Sequence, residues 1–278
     1  MEQDTGLNRQ NTKDQFYTKE EVAKECVTYL LACLPEVRSW YWIEPSAGSG
    51  SFLKAVPEGA QCLSFDIEPK HSSTIQANFL EKSITSNGKI LVFGNPPFGS
   101  QSSLAKAFIK HSAKFADVIA FILPRSFQKP SMNRVFPPEF HCIYTKELAK
   151  KSFEVNGKDY GVNCIFQIWQ KKQSPRAIDQ QLDPIGFQFV KHTDNHDLVI
   201  RRVGANAGMT NNLGDIYNPE THYFIKIDEA VLLNQLDIIQ HLNSIRWPSN
   251  TTGPRSLSKS EITKVLNALL EPVLNAME

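Results

Sequence analysis

Short apolar segments recur through the first half of the chain, and each is followed by a glycine, a proline or an acidic residue. They are Trp40–Glu44, Cys62–Phe65, Ile90–Phe93 and Asp117–Leu123. Runs of this length and composition are typical of buried parallel strands. Stretches with helical periodicity come before and between them, at Glu20–Leu34, from Ser51, and from Ser103 to Phe115. The alternation predicts βαβ units and an α/β fold with a mostly parallel sheet.

A hairpin is predicted after the last of these strands. Lys151–Val155 and Val162–Gln170 flank Asn156-Gly157, a dipeptide that favours a tight turn between antiparallel strands. We therefore expect an antiparallel pair to close one edge of the sheet.

The chain is predicted to divide into three parts. The polar residues 1–14 are expected to be a disordered lead-in, residues 15–172 one large α/β domain, and residues 173–278 an α+β addition. In this addition, Gly186–Lys191, Asp197–Arg202 and Thr221–Ile227 are predicted strands, and Glu229–Ser244 is a predicted helix. Ser258-Lys259-Ser260-Glu261 is a capping box that opens a last helix.

The composition, with 41% hydrophobic and 21% charged residues, is ordinary for a globular protein. No apolar run is long enough for a transmembrane helix, and the first residues lack the apolar core of a secretory signal. The five cysteines are scattered without metal-ligand spacing, which favours reduced thiols and no structural metal. We expect an intracellular protein of the cytoplasm, nucleoid or nucleus that is neither secreted nor attached to a membrane. Its oligomeric state is not indicated.

Positive charge is concentrated in residues 104–172, which hold 12 Lys+Arg against 5 Asp+Glu, a net charge of +7. The whole chain has a net charge of only +1. A basic patch of this kind suits a polyanion such as a nucleic acid. Ordinary solvated lysines on helix faces account for it equally well, so the patch supports a nucleic-acid partner without requiring one.

Three strand ends carry unusual residues. Glu44-Pro45-Ser46-Ala47-Gly48-Ser49-Gly50 follows the first strand, Asp66-Ile67-Glu68-Pro69 the second, and Asn95-Pro96-Pro97-Phe98 the third. Ligands of open parallel sheets bind at the carboxyl ends of the strands, and an acid at this offset from a glycine loop commonly bonds ribose hydroxyls. The third glycine of a dinucleotide loop and the lysine of a phosphate loop are missing. The sequence therefore predicts a nucleoside ligand without a long phosphate tail.

Together, in this order and spacing, the three segments resemble class I S-adenosylmethionine-dependent methyltransferases, and most of all the adenine-N6 enzymes with an N/D-P-P-Y/F/W motif. Phe16-Tyr17-Thr18 resembles their F-Y-T-P segment, which lies near the methionine end of the cofactor. The resemblance covers residues 14–170 and implies a Rossmann-like, seven-stranded sheet and S-adenosyl-L-methionine as cofactor.

The resemblance also implies roles for individual residues. Asp66 would bind the ribose hydroxyls, Ile67 would pack on the cofactor adenine, and Phe79, after Asn78, would cover it. The complete implied cofactor set is Phe16, Tyr17, Thr18, Glu44, Pro45, Ser46, Ala47, Gly48, Gly50, Asp66, Ile67, Asn78 and Phe79. The chain departs from the family pattern at Lys19, where a proline is expected, and at Asn78, where an acid is expected.

The Asn95–Phe98 corner has a physical rationale within this resemblance. The amino nitrogen of adenine is a poor nucleophile because its lone pair is shared with the ring. If the side-chain oxygen of Asn95 and the carbonyl of Pro96 accept its two hydrogens, lone-pair density returns to the nitrogen. Pro97 would fix the two acceptors in place, and Phe98 would stack on the base. These four residues are the predicted catalytic set.

DNA is the predicted substrate, by analogy with restriction-modification adenine methyltransferases, with Arg125, Lys129, Arg134, Arg201 and Arg202 as candidate phosphate or recognition contacts. The target base would have to flip out of a duplex. Three alternatives stay open at this point: methylation of adenine or guanine amino groups in RNA, methylation of a glutamine amide in a protein, and a non-enzymatic nucleic-acid-binding subunit.

Overall fold

The computed structural model describes residues 16–155, 157–178, 182–211, 216–232, 235–248, 251 and 253–276. Backbone contacts divide the chain into two compact units, Met1–Ile178 and Asp179–Glu278. The predicted lead-in, residues 1–14, lies outside the described residues. Within the described part, no helix is both long and apolar enough to cross a membrane.

The first unit contains ten strands and three α-helices among its described residues. In chain order they are β1 (Tyr17–Thr18), α1 (Glu20–Cys33), β2 (Tyr41–Glu44), β3 (Gln61–Asp66), β4 (Ile75–Gln76), β5 (Ile90–Gly94), α2 (Ser103–Ser112), β6 (Val118–Pro124), α3 (Pro130–Asn133), β7 (Phe140–Glu147), β8 (Phe153–Val155), β9 (Lys158–Tyr160) and β10 (Cys164–Lys171).

Seven of these strands form one sheet in the order β4-β3-β2-β5-β6-β10-β7. Strands β4, β3, β2, β5 and β6 are parallel to one another, whereas β10 is antiparallel to both β6 and β7. The predicted fold, a seven-stranded and mostly parallel α/β sheet with an antiparallel edge, is confirmed.

The central strands are buried along their whole length because they carry apolar side chains on both faces. Every residue of β5 and β6 is buried, as parallel strands covered on both sides require. Trp42 of β2 packs edge-on against Phe93 of β5, and its indole N–H donates to the carbonyl of Val37 at 2.8 Å. A rigid core therefore supports the strand ends on which the predicted site lies.

The predicted hairpin forms, but with a different second arm. β8 pairs with β9 on either side of Gly157, and β1 adds to β8, giving a separate three-stranded sheet. The antiparallel edge of the large sheet is instead the pair β7 and β10. The prediction missed β7 because most of its side chains are at least partly exposed, which removes the apolar run that marks a buried strand.

A second correction concerns the helix predicted from Ser51. The structure has a single turn of 3₁₀ helix there, Leu53–Ala55. Pro57 and Gly59 follow closely and do not favour a longer helix. No long helix therefore begins at the glycine loop.

The second unit is an antiparallel sheet with helices. Its elements are β11 (Phe187–Val190), β12 (Leu198–Arg201), β13 (Thr210–Asn211), β14 (His222–Ile227), α4 (Glu229–Leu232), α5 (Gln235–Ser244) and α6 (Lys259–Asn275), with sheet order β11-β14-β12-β13. The predicted capping box is confirmed: Ser258 Oγ accepts from the Glu261 N–H at 3.3 Å, and Glu261 Oε2 accepts from the Ser258 N–H at 2.8 Å. The α+β character of this region is confirmed.

Candidate active site

A cavity of about 550 Å³ opens at the carboxyl ends of β2, β3 and β5. Its volume lies within the range of roughly 300–1,000 Å³ that is usual for small-molecule sites. All four predicted catalytic residues line it, and so does every predicted cofactor residue except Gly50. The other lining residues were given no role from the sequence; they are Ser49, Ser51, Phe52, Glu68, Ala77, Leu80, Leu104 and Phe108.

Gly50 lies outside the cavity lining and packs against a neighbouring loop. Its φ is +81°, and a Cβ at this position would lie 2.5 Å from Cδ2 of His71. Gly48, by contrast, lines the cavity with φ +52°, and a Cβ there would be 3.2 Å from the Tyr17 ring. Both positions need glycine, but at Gly50 the close approach is to the protein itself.

Asp66 joins the glycine loop to the end of β3. Its Oδ2 accepts from the Gly48 N–H at 2.7 Å and its Oδ1 from the Glu68 N–H at 2.8 Å. A carboxylate offers about four lone-pair directions, so both oxygens can still accept a hydrogen bond from a ligand hydroxyl. The predicted ribose-binding role remains a prediction, and the structure adds a role in shaping the loop.

Glu44 places a carboxyl group inside the protein at the end of β2. The residue is only 1% exposed, and no described residue donates to its Oε2. Burial, with a smaller contribution from the charge of Asp66, raises the pKa of Glu44 well above its usual range. Gly94, with φ +132°, makes room for it, because a Cβ there would be 3.3 Å from Glu44 Cγ. A buried carboxyl that lines a cavity without a partner favours a cationic ligand.

The Phe16-Tyr17-Thr18 segment forms one wall of the cavity through β1. Thr18 is buried, and its Oγ1 has no hydrogen-bond partner among the described residues. Lys19, which stands where the family has proline, donates its N–H to the Ser152 carbonyl at 3.1 Å, and its Nζ is 2.7 Å from Asp159 Oδ1. Proline could make neither contact. Lys19 therefore links the end of β1 to the start of β8 and to β9.

Asn95 has one end of its amide bonded and the other end free. Its Nδ2 donates to the Phe16 carbonyl at 3.3 Å, which leaves Oδ1 as the atom facing away from that carbonyl. Oδ1 is buried and has no partner among the described residues. The backbone carbonyl of Asn95 accepts from Ser46 Oγ at 3.2 Å, so the glycine loop also contacts this corner. Asn95 lines the cavity, and its side chain therefore holds an unsatisfied acceptor at this corner.

Aromatic rings support this corner from one side. Phe16 stacks on Tyr160 of β9 at 4.8 Å between ring centroids, and it lies 6.3 Å from Phe98. Phe98 is itself buried, and its carbonyl accepts from the N–H groups of Leu104 and Ala105 at the start of α2. Sequence reasoning missed Tyr160, since only the paired strands bring residues 16 and 160 together.

The remaining predicted cofactor residues, Ile67, Asn78 and Phe79, also line the cavity. Ile67, 67% exposed, offers apolar surface at the cavity. Asn78 caps a 3₁₀ turn: its Oδ1 accepts from the Leu80 N–H at 3.1 Å, and its Nδ2 donates to Glu81 at 2.8 Å. Phe79 is packed among other rings, including Phe108 at 5.6 Å. Each nevertheless contributes to the lining, as the resemblance implies.

The candidate phosphate contacts of the first unit are less available than the sequence suggests. Arg125 forms an ion pair with Glu147 at 2.7 Å, which neutralises its charge. Lys129 is only 6% exposed, so it is not a surface cation. Arg134 is half-buried. Pairing of Arg125 and burial of Lys129 make these two cations less available to a phosphate, and their role as contacts remains a prediction.

Arg201 and Arg202 lie in the second unit. Arg201 Nε donates to the Val203 carbonyl at 3.0 Å, and the guanidinium of Arg202 lies over the Tyr223 ring at 5.1 Å. Among the described residues, no group of three or more His, Cys, Asp or Glu side chains is arranged to hold a metal ion.

No family model and no curated protein matches the sequence, but solved structures resemble its fold. A proposed RNA methyltransferase from Pyrococcus horikoshii is 16% identical, with a TM-score of 0.46, covering 60% of this chain and 92% of that one. A proposed class I S-adenosylmethionine-dependent methyltransferase from Listeria monocytogenes is 12% identical, with a TM-score of 0.46, covering 62% and 66%.

A magnesium protoporphyrin IX methyltransferase from Synechocystis, solved with bound S-adenosylmethionine, is 10% identical, with a TM-score of 0.37, covering 55% of this chain and 79% of that one. Two of the three descriptions name a substrate, RNA in one and magnesium protoporphyrin IX in the other. Identities and scores at this level give no information about the substrate of the present chain.

Proposed function

We propose that the protein is an S-adenosylmethionine-dependent methyltransferase that methylates the N6 amino group of adenine in DNA. The observation that carries the proposal is Asn95, a residue of the cavity lining whose amide nitrogen donates to the Phe16 carbonyl while its amide oxygen is buried without a partner among the described residues. A buried, unsatisfied acceptor costs free energy, and a ligand N–H would remove that cost.

The lining residues fit the cofactor on their own chemistry. The unpartnered Glu44 carboxyl favours positive charge, and Thr18 Oγ1 offers a further buried polar atom to a ligand. Asp66 retains acceptor capacity for hydroxyls, and the exposed side chain of Ile67 offers an apolar surface for a flat ring. A cationic ligand with hydroxyls and an aromatic ring satisfies all four. When bound, S-adenosylmethionine would supply an electrophilic methyl group.

The chain's own contribution to the reaction is to hold the target amine. Asn95 Oδ1 accepts one hydrogen of the amine, and the backbone carbonyl of Pro96, in the role that the resemblance implies, accepts the other. The two bonds draw the nitrogen lone pair out of conjugation with the ring. Pro97 fixes the backbone so that neither acceptor has to reorganise during the reaction, which is often the largest catalytic contribution. The nitrogen then loses one proton to solvent after it gains the methyl group.

Selection of adenine in DNA rests on the Asn95–Phe98 resemblance. The same pair of acceptors serves any planar amino group, so guanine and glutamine amides are chemically equivalent substrates at this corner. Phe98 offers a ring on which a base would stack, and its ring centroid lies 6.3 Å from that of Phe16. Stacking of a base on an aromatic side chain is worth about 1–3 kcal/mol, which offsets part of the cost of flipping the base out.

The test has two parts. Calorimetric titration with S-adenosylmethionine examines the cavity directly, and we expect saturable binding that weakens in a Glu44→Gln variant. Incubation with labelled cofactor and duplex DNA, single-stranded DNA, RNA or protein, followed by digestion, identifies the product. We expect N6-methyldeoxyadenosine. An absence of cofactor binding refutes the enzyme proposal, and label found only in another product refutes the substrate.

A further inference from the structure

Several cations of the second unit have no acidic partner. Lys226 is paired with Asp197 at 3.0 Å, whereas no described carboxylate forms an ion pair with Arg202, Arg255 or Lys259. The Nε atoms of Arg202 and Arg255 are both buried without a hydrogen-bond partner among the described residues. Guanidinium groups that are partly buried are normally paired. Each of the two guanidinium groups therefore has a donor that the described residues leave unsatisfied.

The backbone brings the two arginines together although they are 53 positions apart in the sequence. Val203 forms an antiparallel bridge with Ser256. The Leu257 N–H donates to the Arg202 carbonyl, and the Gly204 N–H donates to the Arg255 carbonyl, both at 2.8 Å. Arg202 and Arg255 are thus diagonal neighbours on one side of this pair, a spacing at which long side chains reach each other.

Aromatic rings orient the cations. The Arg202 guanidinium lies over the Tyr223 ring at 5.1 Å, Tyr223 packs edge-on against Phe189 at 5.6 Å, and Lys259 Nζ lies over the Phe189 ring at 4.8 Å. The Tyr223 hydroxyl donates to the Leu257 carbonyl at 3.0 Å, which fixes the ring. A ring face attracts a cation without using its N–H donors. The row of rings therefore positions Arg202 and Lys259 while leaving their donors free.

We infer that Arg202, Arg255 and Lys259 form a binding surface for the phosphate backbone of a nucleic acid. Arginine matches phosphate oxygens in two-point geometry, and several cations in a row match a polymer that repeats its negative charge. An acidic protein surface is the weaker candidate. Protein interfaces usually have an apolar centre, whereas Phe189 and Tyr223 are packed against the core of this unit.

This inference rests on the proposed function in one respect, that the substrate is a nucleic acid. It adds the location at which the second unit would contact the phosphate backbone of that nucleic acid. It also adds to the candidate contacts at Arg125 and Lys129, which pairing and burial make less available. Arg201 is left out because its Nε already donates to the Val203 carbonyl.

The test is a fluorescence-anisotropy titration of the full chain with labelled duplex and single-stranded DNA, from about 50 to 200 mM NaCl. The variants are Arg202→Gln with Arg255→Gln, and Lys259→Gln alone. Lys264→Gln is the matched control, since Lys264 is an exposed cation on the same helix, five residues further on and on a different side. Thermal melting checks that each variant is folded, and Lys259→Gln removes no buried atom.

We expect the double variant to bind duplex DNA at least roughly tenfold more weakly, with the slope of log K against log salt reduced by about 2, at about 0.9 per phosphate contact. Lys259→Gln should reduce the slope by about 1 and Lys264→Gln should leave it unchanged. The inference is overturned if the wild type binds no DNA, if the variants match the control, or if poly-glutamate binds as tightly as DNA. Cofactor titration without DNA reports on the proposed function separately.

Discussion

Gly50 and Gly59 offer a matched pair of substitutions that tests how the glycine loop is built. Their φ values are nearly equal, +81° and +80°. A Cβ at Gly59 would meet nothing within 4 Å, whereas at Gly50 it would meet three atoms of His71 at 2.5, 2.8 and 3.1 Å. Alanine at either position therefore has the same backbone strain, and only at Gly50 does it also collide with a neighbour.

The expected loss of unfolding free energy follows from these two terms. A left-handed alanine costs about 1–2 kcal/mol, of which reduced freedom of the unfolded chain returns about 0.4–1 kcal/mol. Gly59→Ala should therefore cost about 1 kcal/mol. Gly50→Ala adds overpacking, which typically costs about 1–3 kcal/mol. The difference between the two variants isolates the contact with His71.

Urea unfolding followed by tryptophan fluorescence measures this difference, since Trp40, Trp42 and Trp169 all lie in the first unit. A His71→Gly substitution provides the second arm of a double-mutant cycle, because it removes the colliding atoms. We expect it to recover most of the additional cost in the Gly50→Ala background. Equal losses in Gly50→Ala and Gly59→Ala, or no recovery with His71→Gly, would refute the packing argument.

Two further predictions concern the cavity. Tyr160→Ala removes the ring that stacks on Phe16, and we expect roughly tenfold lower kcat with unchanged cofactor affinity, because a misplaced Asn95 slows the reaction more than it weakens binding. The control Tyr160→Phe keeps the ring and should retain most activity. Equal kcat in Tyr160→Ala and wild type would contradict the positioning role of Tyr160. The raised pKa of Glu44 contributes stability that is present below the ordinary glutamate pKa of about 4.3 and is lost as pH rises through the folded-state pKa. In urea titrations, the unfolding free energy of the wild type should therefore fall as pH rises above the ordinary glutamate pKa, and more steeply than that of Glu44→Gln. Parallel profiles would show that Glu44 is not the group responsible.

Local sequence patterns were sufficient to bring together the residues that line the cavity. The three strand-end segments each depend on a short apolar run followed by turn-forming residues, so their positions at the same sheet edge follow from the βαβ order alone. The capping box at Ser258 and Glu261 was predicted for the same reason, since all its contacts are within one turn of helix.

What the sequence did not reveal depends on contacts between distant residues. The bond from Asn95 Nδ2 to the Phe16 carbonyl, the stacking of Phe16 on Tyr160, and the ion pair of Lys19 with Asp159 join segments that no local pattern relates. Gly50 is a related case: its position in a glycine loop suggested a ligand contact, and only the fold places His71 against it. Burial of Lys129 likewise depends on packing that composition does not report.

The most direct test of the account is the rate of methyl transfer by Asn95→Ala under single-turnover conditions with labelled S-adenosylmethionine and duplex DNA. Asn95→Asp is the matched variant, since it keeps an acceptor oxygen on the same stem. We predict at least about 10²-fold slower transfer in Asn95→Ala, the usual cost of removing one preorganised polar group from an active site, with cofactor affinity nearly unchanged and a smaller loss in Asn95→Asp. Transfer by Asn95→Ala at the wild-type rate would contradict the claim that this amide oxygen activates the substrate amine.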